Sequence, residues 1–297
     1  MGDFWRIDVR PLNNVIGAEV GGVDLREPID DEVRDEIREA LGRHLVLFFR
    51  DQDIGDAEQL AFARRFGEPY DPYVDSRELP GNERFFVSIE DTPESPPKAD
   101  HWHTDVPFRL EPPDISVLHM RVAPPAGGDT LWVNTRALYE RLSPTMRRLL
   151  DQLDVIAGIG TPVKAAYEHD PDGAERFRQL QREVPPSRHP LVRVHPDTGA
   201  PAVFFPGDEF VRGIAGMTAD ESDAVLGVIR ARLDDPNLQV RWRWRLHDVA
   251  MWDERCTNHR AMSDHYPSHR LVRRCLTGCG VPVGVDGRES STVVEER

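Results

Sequence analysis

From Asp30 to Leu45 the apolar residues Val33, Ile37, Leu41 and Leu45 recur every four positions, and acidic residues crowd the first turn. That spacing predicts an amphipathic helix. Upstream, residues 5–24 alternate short apolar runs with Gly and Pro (Ile16-Gly17-Ala18-Glu19-Val20), which predicts short strands and turns. Val46-Leu47-Phe48-Phe49 predicts a buried strand, and Ala57 to Phe66 a second helix that stops at Gly67. Residues 89–100 are Pro-rich and polar and predict a loop. Strands are expected around 102–108, 115–122 and 129–133, then a helix from Leu138 to Leu153 opened by Ser143-Pro144. Residues 160–190 are polar and poorly patterned. They predict a long surface excursion, for which a lid and a plain solvated loop both stay open. Leu191 to Phe205 reads as a hairpin turning at Pro196-Asp197-Thr198-Gly199. Ala219 to Leu233 is a further amphipathic helix, Val240 to Leu276 returns to strands, and 285–297 is a polar, frayed tail.

The sum is many short strands with helices at the front and in insertions. It predicts a mainly β fold with flanking helices, a sandwich or barrel rather than alternating βαβ units. Residues 1–284 are expected to form one domain, with 160–190 as its insertion. No Gly-rich phosphate loop and no Gly-x-Ser-x-Gly elbow occurs, which weakens the nucleotide-enzyme and serine-hydrolase classes.

The 297 residues carry a formal charge of −15, which disfavours nucleic acid and anionic membrane as partners. A site for a small anion would then need its own local cations. Three cysteines without a regular framework (Cys256, Cys275, Cys279) read as free thiols of a reducing compartment. The polar start and the lack of any apolar stretch of about 20 residues predict a cytoplasmic protein.

Against that background the candidate chemistry stands out. In His103-Thr104-Asp105 the imidazole and the carboxylate are two residues apart, so on a strand they would share one face. Such a pair says little alone, since the chain holds eleven histidines and supplies its own decoy in His195-Pro196-Asp197, set at a hairpin turn. His259 would complete two histidines and a carboxylate. That set binds one face of Fe(II) and leaves the other positions open. Arg270 and Arg274 fall on one face of the segment Arg270 to Leu276, ~13 Å apart along a strand. Each would need an anion if it faced inward, and both a carboxylate grip and a salt-bridged surface strand stay open. Gly127-Gly128 permits a tight turn before Thr130, whose hydroxyl could meet an anion. Trp132, Trp244 and Trp252 are candidates to wall a pocket or simply to fill the core.

Together these pieces resemble the TauD/TfdA family of Fe(II)- and 2-oxoglutarate-dependent dioxygenases. The resemblance runs nearly end to end: Ile16 to Val20, Gly22-Val23-Asp24-Leu25, Phe66-Gly67-Glu68, Trp102-His103-Thr104-Asp105, Gly127 to Trp132, His195-Pro196, Val240 to Trp244, and Trp252-Asp253 through Arg274. It implies a double-stranded β-helix, a jelly roll, with Fe(II), 2-oxoglutarate and O2 as cofactor and cosubstrates. It implies His103, Asp105 and His259 as iron ligands, and Arg270 with Thr130 at the distal carboxylate of 2-oxoglutarate. Arg274 would meet the substrate's anionic group or the cosubstrate's inner carboxylate. The implied reaction hydroxylates a small anionic molecule and yields succinate and CO2.

Taurine-type members of the family carry a His shortly after the Phe-Gly-Glu segment and an Asn four residues before the first ligand. Here those places hold Pro69-Tyr70-Asp71-Pro72-Tyr73 and Ala99. Tyr73 and His101 are candidate replacements, and Val163 and Phe210 stand at positions that are aromatic in the family and pack on substrate. These departures weigh against taurine, which stays open, and permit an alkyl sulfonate, an alkyl sulfate ester, an aryloxy acid or another carboxylate. The residues leave two other readings open: tailoring by hydroxylation or desaturation of an amino-acid-like substrate, and a non-catalytic β-helix binding protein. A homodimer or a homotetramer is open as the assembly.

Overall fold

The computed structural model describes residues 4–72, 79, 81–160, 163–164 and 172–293. They fall into two compact units, each drawn from separate stretches of chain.

The first unit takes segments 1–100, 113–134 and 236–279. Its main sheet is built on a long strand, β16 (Arg270–Cys279), which pairs antiparallel with β6 (Pro113–Val122) and β5 (Phe86–Asp91). The sheet runs β1 (Asp8–Pro11), β2 (Ala18–Gly21), β3 (Val46–Phe49), β14 (Val249–Asp253), β6, β16 and β4 (Pro69–Tyr70), with β5 also on β16. A smaller sheet joins β13 (Gln239–Trp242), β7 (Thr130–Asn134) and β15 (Thr257–Ala261).

Helix α1 (Asp31–His44) begins where Asp30 accepts a hydrogen bond from the Val33 amide. It ends where Leu45 turns left-handed at φ 64°. Its apolar stripe, with Ile37 and Leu41 buried, packs into a core with Leu47, Phe49, Leu60 and Met251. Each such side chain contributes roughly 1.5–3 kcal/mol by burial. The second helix, α2 (Asp56–Ala63), is shorter than its pattern suggested, because residues 64–66 close in turns.

The second unit takes 101–112, 135–235 and 280–297. Its four-stranded sheet runs β12 (Val211–Ile214), β8 (Asp154–Ala157), β9 (Ser187–Pro190) and β17 (Ser291–Thr292). The expected hairpin is present as β10 (Val192–Val194) and β11 (Pro201–Val203). Helix α6 (Ala219–Leu233) spans the predicted residues and is closed by a capping box between Thr218 and Glu221.

Five further expectations change. Residues 89–91 extend β5 instead of opening a loop, because their amides and carbonyls pair with β16. Residues 102–108 form no strand: their one sheet contact is an isolated bridge between His103 and Gly207. The helix expected at 138–153 is two, α3 (Thr135–Glu140) and α4 (Pro144–Leu150), because Ser143 caps the second and Pro144 cannot continue the first. Within 160–190, helix α5 (Gly173–Glu183) buries little beyond Leu180, so its apolar stripe was too thin to read. The tail is partly fixed: β17 pairs with Ser187 and Arg188, and Ser290 is buried. No helix among the described residues is long and apolar enough to cross a membrane.

Candidate active site

Three strands of the first unit, β7, β15 and β16, carry candidate residues. His259 lies in β15, opposite Trp132 of β7. It is buried, and its ring sits 5.0 Å from that of Trp252. Trp252 in turn meets Trp132 edge-on at 5.5 Å, so the imidazole is fixed by aromatic packing.

Arg270 opens β16 and is 2% exposed. Burial pushes its guanidinium below the usual arginine value, and the nearby Asp91 carboxylate opposes that shift. Its Nε donates to the Gly128 carbonyl at 3.3 Å. Gly128 sits at φ 70° and Gly127 at φ 72°. A Cβ on Gly128 would stand 3.1 Å from Arg270 Cδ and 3.2 Å from His265 Cγ, so the turn needs glycine both for its conformation and for its closeness.

Thr130 is buried and its Oγ accepts from Trp244 Nε1 at 2.9 Å. The hydroxyl proton of Thr130 is therefore left to donate to an acceptor such as a carboxylate. Trp244 is thus a functional neighbour as well as core. Arg274, further along β16, is partly buried.

In the second unit, residues 101–108 are held mainly by side-chain ties. Trp102 Nε1 donates to Asp234 at 2.9 Å, Ser187 Oγ donates to the Phe108 carbonyl at 2.9 Å, and His189 Nε2 lies 3.0 Å from the Pro107 carbonyl. His103 Nδ1 lies 2.9 Å from the His101 carbonyl. A carbonyl can only accept, so that nitrogen carries the proton and Nε2 keeps the lone pair a metal needs. Gly207, at φ 106°, lets the chain pass His103: a Cβ there would be 2.8 Å from His103 Cβ.

Asp105 is 4% exposed and is followed by Val106 at φ 48°, an unfavourable conformation for a β-branched residue. His101 is engaged with Glu209, Nε2 to Oε2 3.0 Å. Phe210 is buried with its ring 5.9 Å from that of Phe108, and Val163 is partly buried in a short helical turn. Tyr73 lies outside the described residues.

Among the described residues, His103, Asp105 and His259 each offer one ligand atom, and these atoms all lie within 4.8 Å of one another. Two imidazoles and one carboxylate suit a ferrous ion. A second group, His195, Asp253 and Cys256, meets the same distance criterion. Two of its three residues already have partners: Arg255 donates to both oxygens of Asp253, and His195 Nδ1 accepts from the Asp197 amide. Sequence reasoning missed Asp91 and His265, which stand beside Arg270. The alternation of Phe86 to Asp91 was the only available signal, and the prolines that follow obscured it.

Comparison with known proteins gives consistent matches. The family model "Taurine catabolism dioxygenase TauD, TfdA family" matches residues 8–276. An alpha-ketoglutarate-dependent sulfate ester dioxygenase of Pseudomonas putida is 37% identical over 96% of this chain and 94% of its own. An alkylsulfatase of Acinetobacter baylyi is 32% identical over 97% of this chain and 90% of its own. The crystal structure of a taurine dioxygenase from Burkholderia xenovorans superposes with a TM-score of 0.82 at 34% identity, covering 98% of this chain and 96% of that one. The mainly β jelly-roll fold expected from the resemblance is the fold shared with that structure.

Proposed function

The chain belongs to the TauD/TfdA family of dioxygenases, and from that premise we propose that it is an Fe(II)- and 2-oxoglutarate-dependent dioxygenase acting on small alkyl sulfate esters. The observation that carries the chemistry is the approach of the ligand atoms of His103, Asp105 and His259 to within 4.8 Å. Two sequence relatives covered nearly end to end, a sulfate ester dioxygenase and an alkylsulfatase, favour the substrate class. Ala99, in place of the asparagine of taurine-type members, supports a substrate other than taurine.

In this reading His103, Asp105 and His259 hold Fe(II), which when bound supplies the activation of dioxygen. Arg270 grips the distal carboxylate of 2-oxoglutarate, with the Thr130 hydroxyl donating a second hydrogen bond. Trp252 and Trp132 hold the His259 ring and keep water from it. Arg274 meets the sulfate group of the substrate, and Phe210, Val163 and His101 belong to its surroundings. Hydroxylation at the carbon bearing the sulfate oxygen gives a hemiacetal-like ester. That ester collapses to an aldehyde and inorganic sulfate, while 2-oxoglutarate leaves as succinate and CO2.

The test is a panel of medium-chain alkyl sulfates, alkyl sulfonates, taurine and aryloxy acids with Fe(II), 2-oxoglutarate and air, read as succinate and sulfate. Equal succinate and sulfate with the alkyl sulfates is expected, and none without Fe(II). Turnover of taurine or aryloxy acids in preference to every sulfate ester would overturn the substrate assignment. Metal-independent turnover would overturn the chemistry.

A further inference from the structure

Arg270 and Asp91 are direct cross-strand partners in the β5–β16 pairing. Both are buried, at 2% and 7% exposure. A buried guanidinium without an anion is strongly unfavourable, so the site needs a negative charge even when no cosubstrate is bound. Asp91 supplies one, but at a distance. Its Oδ2 stands 3.6 Å from Arg270 Nη1, well beyond the roughly 2.7–2.9 Å of a charge-assisted hydrogen bond. On its other side His265 Nε2 lies 3.2 Å from the same Oδ2, without the geometry of a hydrogen bond. His265 is itself fixed, with Nδ1 3.2 Å from the Met262 carbonyl and its ring against Gly128. Among the described residues, the Arg270 guanidinium meets only the Gly128 carbonyl within hydrogen-bond range, through Nε.

The geometry points to Asp91 as a resident counter-ion for Arg270. It neutralises the guanidinium while the cosubstrate site is empty and leaves its hydrogen-bonding edge free for the distal carboxylate of 2-oxoglutarate. This rests on the reading of Arg270 given above. Coulomb attraction falls slowly with distance, whereas a hydrogen bond is lost within a few tenths of an ångström. A carboxylate at 3.6 Å therefore keeps most of the charge compensation and leaves the planar fork unspent. Asp91 and an incoming carboxylate then compete for one cation, and the protein trades cosubstrate affinity for stability of the empty site.

The decisive comparison uses Mn(II)-loaded protein, which binds without turnover. Its ligands are N-oxalylglycine, which keeps both carboxylates of 2-oxoglutarate, and 2-oxobutanoate, which lacks the distal one. In Asp91→Asn the unliganded melting temperature should fall. N-oxalylglycine should bind about 5-fold more tightly than to the parent protein, the lower end of ordinary coupling between sites. 2-Oxobutanoate should bind unchanged. N-oxalylglycine binding that is unchanged or weaker in Asp91→Asn overturns the inference, as does an equal shift for both ligands.

Should Asp91→Asn prove too unstable to load, the variant Asp91→Asn/Arg270→Leu decides. Recovery of the parent melting temperature supports the counter-ion, and a double variant as unstable as the single one refutes it. Arg270→Leu alone tests the underlying reading. It should abolish the preference for N-oxalylglycine over 2-oxobutanoate, and a preserved preference would defeat the role of Arg270 whatever Asp91 does.

Discussion

Residues 257–279 and residues 101–108 place their functional side chains by different means. His259 and Arg270 stand in β15 and β16, where backbone ladders to β7, β5 and β6 set every side chain's face. No residue other than glycine has a positive φ within those two strands. His103 and Asp105 stand in irregular chain, anchored by Ser187, His189, Asp234 and Gly207 and carrying Val106 at φ 48°. Such a conformation costs on the order of 1–3 kcal/mol and persists only where the surroundings enforce it. A strand tolerates change at its neighbours, because the ladder is redundant. A tethered loop depends on each tie. The strands carry the proposed iron ligand His259, Arg270 for the cosubstrate and Arg274 for the substrate's sulfate. The loop also carries His101, and its Phe108 packs on Phe210, both proposed for the substrate's surroundings.

The largest effect should come from the loop's own ligands. His103→Ala and Asp105→Ala should lower Fe(II)-dependent succinate formation by about 10³-fold or more, since each removes a donor of the metal set. Far-UV circular dichroism should stay at the parent level. Retention of more than a tenth of the activity in either variant would break the assignment. Next is Arg270→Leu, which should raise the KM for 2-oxoglutarate about 100-fold, roughly 3 kcal/mol, by removing a charge-assisted pair of hydrogen bonds. The KM for the alkyl sulfate should hardly move, and a parallel rise in both would mean that the strand had lost its place instead.

Gly128→Ala sharpens the contrast from the strand side. The alanine must adopt φ 70° and its methyl must fit 3.1 Å from Arg270 Cδ. A loss of about 2 kcal/mol in chemical denaturation is expected, together with a several-fold rise in the KM for 2-oxoglutarate. Parent values for both would show that the turn has more room than its geometry indicates.

The contrast also explains what could be read in advance. The helix from Asp31 to His44, the hairpin around Pro196–Gly199 and the helix from Ala219 to Leu233 follow from periodicity and capping residues, which are local properties. The burial of Arg270 was left open by the residues alone, because an arginine on a strand face reads equally as a surface ion pair. Its cross-strand partner Asp91 lies 179 positions earlier, in a stretch whose prolines masked the strand. The loop was misread as a strand for a physical reason: His-x-Asp brings two donors together in β geometry, but an isolated bridge and a set of remote side-chain ties can do so too. Nothing near residue 103 signals Ser187, His189 or Asp234.

The smallest effect isolates one of those ties. His189 is fully buried, and burial, with Arg193 nearby, pushes its imidazole down to about 4. Its Nε2 faces the Pro107 carbonyl, which requires a proton there, and Nδ1 lies 2.8 Å from Ser290 Oγ. The folded protein thus keeps His189 neutral at pH values where the unfolded chain, titrating near 6.5, takes up a proton. The stabilisation is complete above pH 6.5 and is lost as the pH falls from there towards 4. Between pH 6.5 and 5.5 this one residue should cost about 1 kcal/mol of unfolding free energy. His189→Gln keeps a donor for the Pro107 carbonyl and cannot titrate. Its stability at pH 7.5 should lie within about 1–2 kcal/mol of the parent, and the difference should narrow by about 1 kcal/mol on going to pH 5.5. Urea denaturation at the two pH values measures this directly. An unchanged gap would mean that His189 does not titrate differently on folding, and that the loop bearing His103 and Asp105 owes its place to its other ties.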